Sequence, residues 1–401
     1  MKCVLADIAD VTMGQSPKSE YYNSEKNGMP FLQGNRTFGK KYPTFDTYTT
    51  FITKTAKSGD VIMSVRAPVG DVNITPIDMC LGRGVCGIRM KNENQEFLFY
   101  LLKYYMPRLV NKQSGTVFGS VNKNDINSLE IDIPEDSTIQ RKIARYLSMI
   151  DEKIELNEKI NKNLEQQAVL LFKQWFTNFE NHSENMIETQ FGKLPSSFKL
   201  MKNGELPMIV TDYVANGSFA SLKANVRLYQ EENYAYFIRN TDLKSGTFEV
   251  FVDKHSYDFL SKSALYGGEI IISNVGDVGS VFLCPKLSKP MTLGNNIIML
   301  RPEKKNLQYY LYIWFKWLYG QSLIQEIKGG SAQPKFNKTD FKNIPIYIPD
   351  DNLLEKFHQT VKPMFELIDQ NNSENLRLSA IREVILPKLM SGELDVSEVD
   401  L

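Results

Sequence analysis

Along 137–177 the apolar residues recur in alternating three- and four-residue steps: Ile143, Leu147, Ile150 and Ile154, then Leu164, Ala168, Leu171 and Trp175. That spacing predicts a long helix with a single heptad seam. In 351–390 the seam recurs as Phe357, Val361, Met364, Ile368, Leu378 and Ile385, each 214 positions after its counterpart. Both seams break in the middle at asparagine pairs, Asn157 with Asn161 and Asn371 with Asn375. Antiparallel packing would set Asn157 opposite Asn375 and Asn161 opposite Asn371. Two readings stand: a buried polar layer that fixes coiled-coil register, or four solvated positions. Pro363 and Pro387 remove helix hydrogen bonds and predict a kink or an end in the second helix.

The segments before the helices also repeat. GDVIMSVRAPVGDV (59–72) matches GEIIISNVGDVGSV (268–281) at an offset of 209, and GTVFGSVNKNDINSLEIDIPE (115–135) matches GSAQPKFNKTDFKNIPIYIPD (330–350) at an offset of 215. An internal duplication accounts for the preserved order, and small loop insertions account for the drift. The expected fold is α+β: two mixed α/β globules separated by two long antiparallel coiled-coil helices, with pseudo-twofold duplication. The divisions are 1–136 for the first globule, 137–177 for the first helix, 178–198 for a polar linker, 199–350 for the second globule, 351–390 for the second helix and 391–401 for an acidic tail. Runs such as VIMSV and LEIDI read as strands, 95–113 as an amphipathic helix, and 307–325 as one buried amphipathic helix, since Lys316, Gly320 and Gln321 interrupt it as a membrane span.

At 401 residues the chain calls for more than one core. Lys plus Arg and Asp plus Glu both total 47, so there is no general attraction to phosphate, which argues against a nonspecific nucleic-acid coat while allowing local basic loops. Cys3, Cys80, Cys86 and Cys284 form no CxxC pair, and His182, His255 and His358 are scattered, so neither disulfides nor a metal site is expected. The opening MKCVLADIADV lacks a secretion signal, which points to the cytoplasm. Neither a glycine-rich cofactor loop with Asn/Asp-Pro-Pro-aromatic nor GxxxxGK[ST] occurs, so no methyltransferase, ATPase or other catalytic centre is expected in this chain.

Globule, helix, globule, helix, carried by IPEDSTIQRKIARYLSMIDEKIELNEKINKNLEQQAVLLFKQWF (133–176), GGSAQPKFNKTDFKNIPIYIP (329–349) and ILPKLMSGEL (385–394), resembles the specificity subunit of type I restriction-modification enzymes over essentially the whole chain. The resemblance implies two target-recognition domains, each reading one half of a split, asymmetric double-stranded DNA site, with the helices as spacer. A helix of about 40 residues rises about 60 Å, more than one DNA turn. It further implies two methyltransferase (M) subunits and two restriction-translocase (R) subunits as partners, with S-adenosylmethionine, ATP and Mg held by them and none by this chain. The assembled complex would be an adenine DNA methyltransferase and an ATP-dependent site-specific deoxyribonuclease. The alternative is a coiled-coil assembly scaffold without DNA specificity, which would bind no DNA sequence selectively even with its partners.

Base reading requires side chains that present paired hydrogen-bonding groups to the major groove. Candidates in the first globule are Asn35, Arg36, Lys40, Lys41, Arg66, Arg83, Lys112, Ser114, Asn122 and Lys123. In the second they are Arg239, Asn240, Lys244, Asn274, Asn295, Lys328, Ser331, Gln333, Lys335 and Lys338. For any one of them a solvated loop charge or a turn-forming polar group is the commoner reading, and the loops count for more as sets. Asn122-Lys123 and Asn337-Lys338 recur in both halves, so they suit a shared turn or a phosphate contact better than the reading of different bases.

Overall fold

The computed structural model describes residues 1–111, 119–179, 185–330 and 332–397. It divides into two compact units, Met1–Ile154 with Leu378–Leu401, and Glu155–Arg377. The helices Ser137–Phe176 and Asp351–Ser391 each contribute one end to each unit.

In the first unit an antiparallel sheet runs in the order Ala9–Met13, Val85–Met90, Val61–Ser64, Val72–Ile74. Val61–Ser64 is buried on both faces, and its alternation sorts two cores. Val61 and Met63 face a core built with the helix Gln95–Asn111, whereas Ile62 packs with Leu32, Ala56, Met79 and Leu81 beneath a second, five-stranded sheet. That sheet holds Met29–Leu32 parallel to Met79–Leu81. The helix core also takes Ile143, Ala144 and Leu147 from one long helix and Leu386, Leu389 and Met390 from the other. Apolar seams from both long helices are therefore part of this globule's core.

The second unit has its own antiparallel sheet in the order Met208–Asp212, Ile297–Pro302, Ile270–Ser273, Val281–Leu283. Ile270 and Ile272 face helices and the aromatic residues Phe172, Phe176 and Phe357. Ile271 packs with Leu265, Met291 and Leu293 under a five-stranded sheet. Gly59-Asp60 and Gly268-Glu269, which mark the start of the repeated segment, are structural: Arg89 Nε lies 2.6 Å from the Asp60 carboxylate and Arg301 Nη2 lies 2.8 Å from that of Glu269.

Three expectations need correction. The apolar run 307–325 is two helices, Asn306–Lys316 and Leu318–Glu326. The chain turns extended at Trp317 (φ −124°, ψ 174°), and Gly320 lies so close to Trp314 that a Cβ there would fall 2.3 Å from its carbonyl oxygen. The stretch read as a linker contains a hairpin, Met186–Thr189 with Gly192–Pro195, because Leu194 is buried in the second unit's core. The last helix runs unbroken through Pro363 and Pro387. Phe357, Val361 and Phe365 are packed on both sides of Pro363, so burial offsets the missing hydrogen bond.

Candidate nucleic-acid interface

Each unit brings several loops together at the turn that follows its central strand. In the first unit, Val65 N–H donates to the Gly84 carbonyl at 2.9 Å, Gly84 N–H to Gln33 at 2.9 Å, and Val121 N–H to Val65 at 2.9 Å. Ala67 N–H donates to the Gly119 carbonyl at 3.0 Å, and Gly82 N–H to Leu32 at 2.8 Å. The loops 33–42, 65–71, 82–84 and 119–123 thus cross backbone to backbone. Bare glycine is required there, since a Cβ at Gly84 would sit 2.3 Å from the Gln33 carbonyl oxygen. In the second unit, Asn274 N–H donates to Asn296 at 3.1 Å, Phe336 N–H to Asn274 at 3.0 Å, Gly276 N–H to Pro334 at 2.8 Å, and Gly294 N–H to Ile238 at 2.7 Å. The loops 238–246, 273–280, 294–296 and 332–337 cross in this way.

The side chains divide by what they already touch. In the first unit Arg66 and Arg83 are exposed and have no side-chain partner among the described residues. Asn35 donates to Asp71 Oδ2 at 2.6 Å, and exposed Arg36 forks onto Asp46 at 2.7 and 2.8 Å, holding that carboxyl below the usual carboxylate range. Asn35 and Lys40, with Asp71, Asn73 and Lys103, line an open cleft of 620 Å³. Lys41 is spent elsewhere. Its side chain is 11% exposed and its ammonium lies 2.8 Å from Glu96; burial opposes that charge, but the Glu96 hydrogen bond and charge keep its pKa above the ordinary value. Asn122 caps the short helix Lys123–Asn127 by accepting from Asn124 N–H at 2.8 Å and Asp125 N–H at 3.1 Å. Lys123 is exposed in that helix's first turn, and Lys112 and Ser114 lie outside the described residues.

In the second unit Arg239 is locked to Asp242, with Nη2 at 2.6 Å and Nε at 3.0 Å, and the Asp242 hydrogen bonds raise its pKa. Asn240 and Lys244 both reach Asp277, at 3.3 and 2.6 Å. The Lys244 ammonium, helped by the Ser280 hydroxyl, holds the Asp277 carboxyl below the usual range. Asn274 donates to the Phe336 carbonyl at 3.4 Å. Asn295, Gln333 and Lys335 are exposed, and Lys328 bonds Gln325. Lys338 pairs with Asp212 at 2.9 Å, following Asn337, which caps its helix by accepting from Asp340 N–H at 2.8 Å. Ser331 is outside the described residues. Arg239 and Lys338, like Lys41, are therefore engaged inside the fold, each by an acid too close for a long cation to ignore.

Two residues at the first crossing escaped the sequence reading. Ser16 accepts from Arg83 N–H at 3.0 Å and donates to Gln33 Oε1 at 2.7 Å. The available signal is the end of the apolar run MPFL, which leaves Gln33 as the first loop residue, two positions before the candidate Asn35.

Within the second unit the asparagines meet. Asn157 donates to Asn375 Oδ1 at 2.9 Å and to Glu374 Oε2 at 2.7 Å, Asn371 donates to Asn161 Oδ1 at 2.7 Å, and Asn161 donates to Asn372 Oδ1 at 2.9 Å. Among the described residues no group of three or more His, Cys, Asp or Glu is arranged to hold a metal, and no helix is long and apolar enough to cross a membrane. His255 is exposed beside Asn225, His358 is buried, and His182 lies outside the described residues.

The profile of the type I restriction modification DNA specificity domain matches residues 1–166 and 185–382. The chain is 27% identical to the type I restriction enzyme MjaIX specificity subunit of Methanocaldococcus jannaschii, over 98% of this chain and 93% of that one. It is 26% identical to the HindI specificity subunit of Haemophilus influenzae, over 85% and 88%. To the MjaX protein of M. jannaschii it is 42% identical over 157 residues, which is 39% of this chain and 37% of that relative's length. Among solved structures, the type I restriction-modification S subunit from M. genitalium shares the fold, with a TM-score of 0.57 at 18% identity over 97% of this chain and 95% of that one. The crossings of exposed polar loops thus sit on a known framework, and the chain belongs to the type I restriction-modification specificity subunits, a family of DNA sequence-recognition proteins.

Proposed function

We propose that this chain is the sequence-specific DNA-binding subunit of a type I restriction-modification complex, reading a bipartite asymmetric site with one half-site per unit. The observation that carries the reading is the repeated crossing: equivalent backbone hydrogen bonds hold the loops in both units, while the side chains they present differ, Arg66 and Arg83 in one and Asn295, Gln333 and Lys335 in the other. A shared backbone frame with divergent polar tips suits two readers of different sequences. The same bonds, the matching strand orders and the in-register helices favour an internal pseudo-twofold duplication. The two long helices serve as an antiparallel coiled-coil spacer whose register is set by Asn157, Asn161, Asn371 and Asn375.

On this reading the chain has no catalytic role and works in the cytoplasm, scaffolding two M and two R subunits. Those partners carry S-adenosylmethionine, ATP and Mg, and supply adenine methylation and ATP-dependent cleavage. The test is modified-base sequencing of a host that carries the M subunit, with and without this chain. Adenine methylation at one split motif, present only with the chain, supports the proposal. An assembled complex that leaves the methylation pattern unchanged overturns it in favour of a scaffold without DNA specificity.

A further inference from the structure

Gln33 is exposed at the first crossing, yet both its backbone and its side-chain amide are held in place. Its carbonyl accepts from Gly84 N–H at 2.9 Å, and a Cβ on Gly82 would fall 2.7 Å from its Cα, so its backbone rests directly on glycine backbone. Its amide is oriented by a relay in which Arg83 N–H donates to Ser16 Oγ at 3.0 Å and Ser16 Oγ–H donates to Gln33 Oε1 at 2.7 Å. That leaves one lone pair on Oε1 and both hydrogens of Nε2 without a partner among the described residues.

We propose that Gln33 reads an adenine in the half-site of the first unit, with Ser16 as its positioning residue. An acceptor and a donor held side by side match the N6 amino group and N7 of adenine in the major groove. Because the relay has already fixed the amide, binding costs less rotamer freedom than it would for a glutamine on an open loop. The equivalent position in the second unit follows Ile238, whose carbonyl takes Gly294 N–H at 2.7 Å as Leu32 takes Gly82 N–H at 2.8 Å. Arg239 stands there, locked to Asp242, so the adenine preference is confined to one half-site.

The inference rests on the proposed function, and one experiment separates their failures. Complexes containing the wild-type chain, Gln33→Ala, Ser16→Ala or Gln33→Glu are compared by methylation-motif sequencing and by competition binding to single-base variants of the motif. Gln33→Ala is expected to leave the split motif in place but make one adenine position in one half-site degenerate, discrimination there falling about tenfold or more. Ser16→Ala relaxes the same position less, whereas a merely structural serine would weaken all positions alike. Should Gln33→Ala not assemble, Gln33→Glu decides the matter, since it keeps the shape and turns the Nε2 donor into an acceptor. An unchanged motif in the assembled variants, or uniform loss across every position, overturns the assignment. No chain-dependent motif in the wild type overturns the proposed function instead.

Discussion

Asn157 donates its side-chain amide to Asn375 Oδ1 at 2.9 Å while its own residue is 1% exposed, and its Oδ1 has no hydrogen-bond partner among the described residues. A buried amide this incompletely satisfied is a poor source of net stability. Removing one side is costly because the survivor, left with only the Glu374 contact, loses part of its hydrogen bonding. Asn375→Leu is expected to destabilise the second unit by about 1–3 kcal/mol. Adding Asn157→Leu should recover most of that loss, since an apolar pair leaves fewer polar atoms unpaired. Urea unfolding of the four chains in a double-mutant cycle measures the coupling, and purely additive effects would refute this account.

Arg66 and Arg83 are exposed guanidinium groups at the first crossing with no side-chain partner among the described residues. Replacing either with alanine is expected to cost about 1–3 kcal/mol if it reads a guanine, with the loss confined to one position of one half-site. A phosphate contact would instead weaken all sequences equally and reduce the salt dependence of binding by about one counterion. Titrations against a panel of half-site variants at several salt concentrations distinguish the two, and no change in either would remove both residues from the interface.

Arg239 has a different role from those arginines. Asp242, whose side chain is 4% exposed, receives its guanidinium at 2.6 Å and its backbone N–H at 2.9 Å. Arg239→Ala should therefore lower the stability of the second unit by about 1–3 kcal/mol through a stranded carboxylate. Arg239→Ala with Asp242→Asn should regain part of it. Thermal melts report this, and a relaxed half-site without loss of stability would reverse the assignment.

His358 lies buried against the Tyr309 ring, with centroids 5.1 Å apart and Nδ1 unpaired among the described residues. Burial lowers its pKa below the ordinary 6.5, with Glu355 and Glu366 opposing and Lys362 and Lys305 reinforcing the shift. The unfolded chain thus takes up the proton first, so this contribution is present above pH 6.5 and fades as the pH falls through the folded pKa. His358→Phe should flatten the acid limb of the stability curve relative to wild type. Identical slopes for the two chains between pH 7.5 and pH 5 would show that His358 does not titrate on unfolding.

The long helices were legible because their signal is local and periodic: Ile143, Leu147, Ile150 and Ile154 announce a heptad without reference to any other segment. The helix read over 95–113 appears as Gln95–Asn111 for the same reason. What could not be read was pairing over distance outside the repeated helical seams. Lys41 resembles its exposed neighbour Lys40 in sequence, and only folding places Glu96, 55 residues away, against it. Likewise, the break at Trp317 is set by the close approach of Gly320 to Trp314, which hydrophobic period does not encode. Asn122 and Asn337 were legible as a shared feature, and their cap role follows from the acid three residues on, Asp125 and Asp340.

The first unit's core is closed by Leu386, Leu389, Met390 and Val396, with Arg382 on Asp151 at 2.5 Å and Lys142 donating to the Ser397 carbonyl at 2.6 Å. The second unit is one uninterrupted stretch, Glu155–Arg377. On the ribosome the order of completion is therefore the reverse of the order of synthesis. The globule translated first waits, with Leu147 and its neighbours uncovered, until the whole of the other has been made. A nascent chain in that interval presents apolar surface to chaperones and to other chains. Nonsense mutations late in the reading frame should then injure the N-terminal globule first.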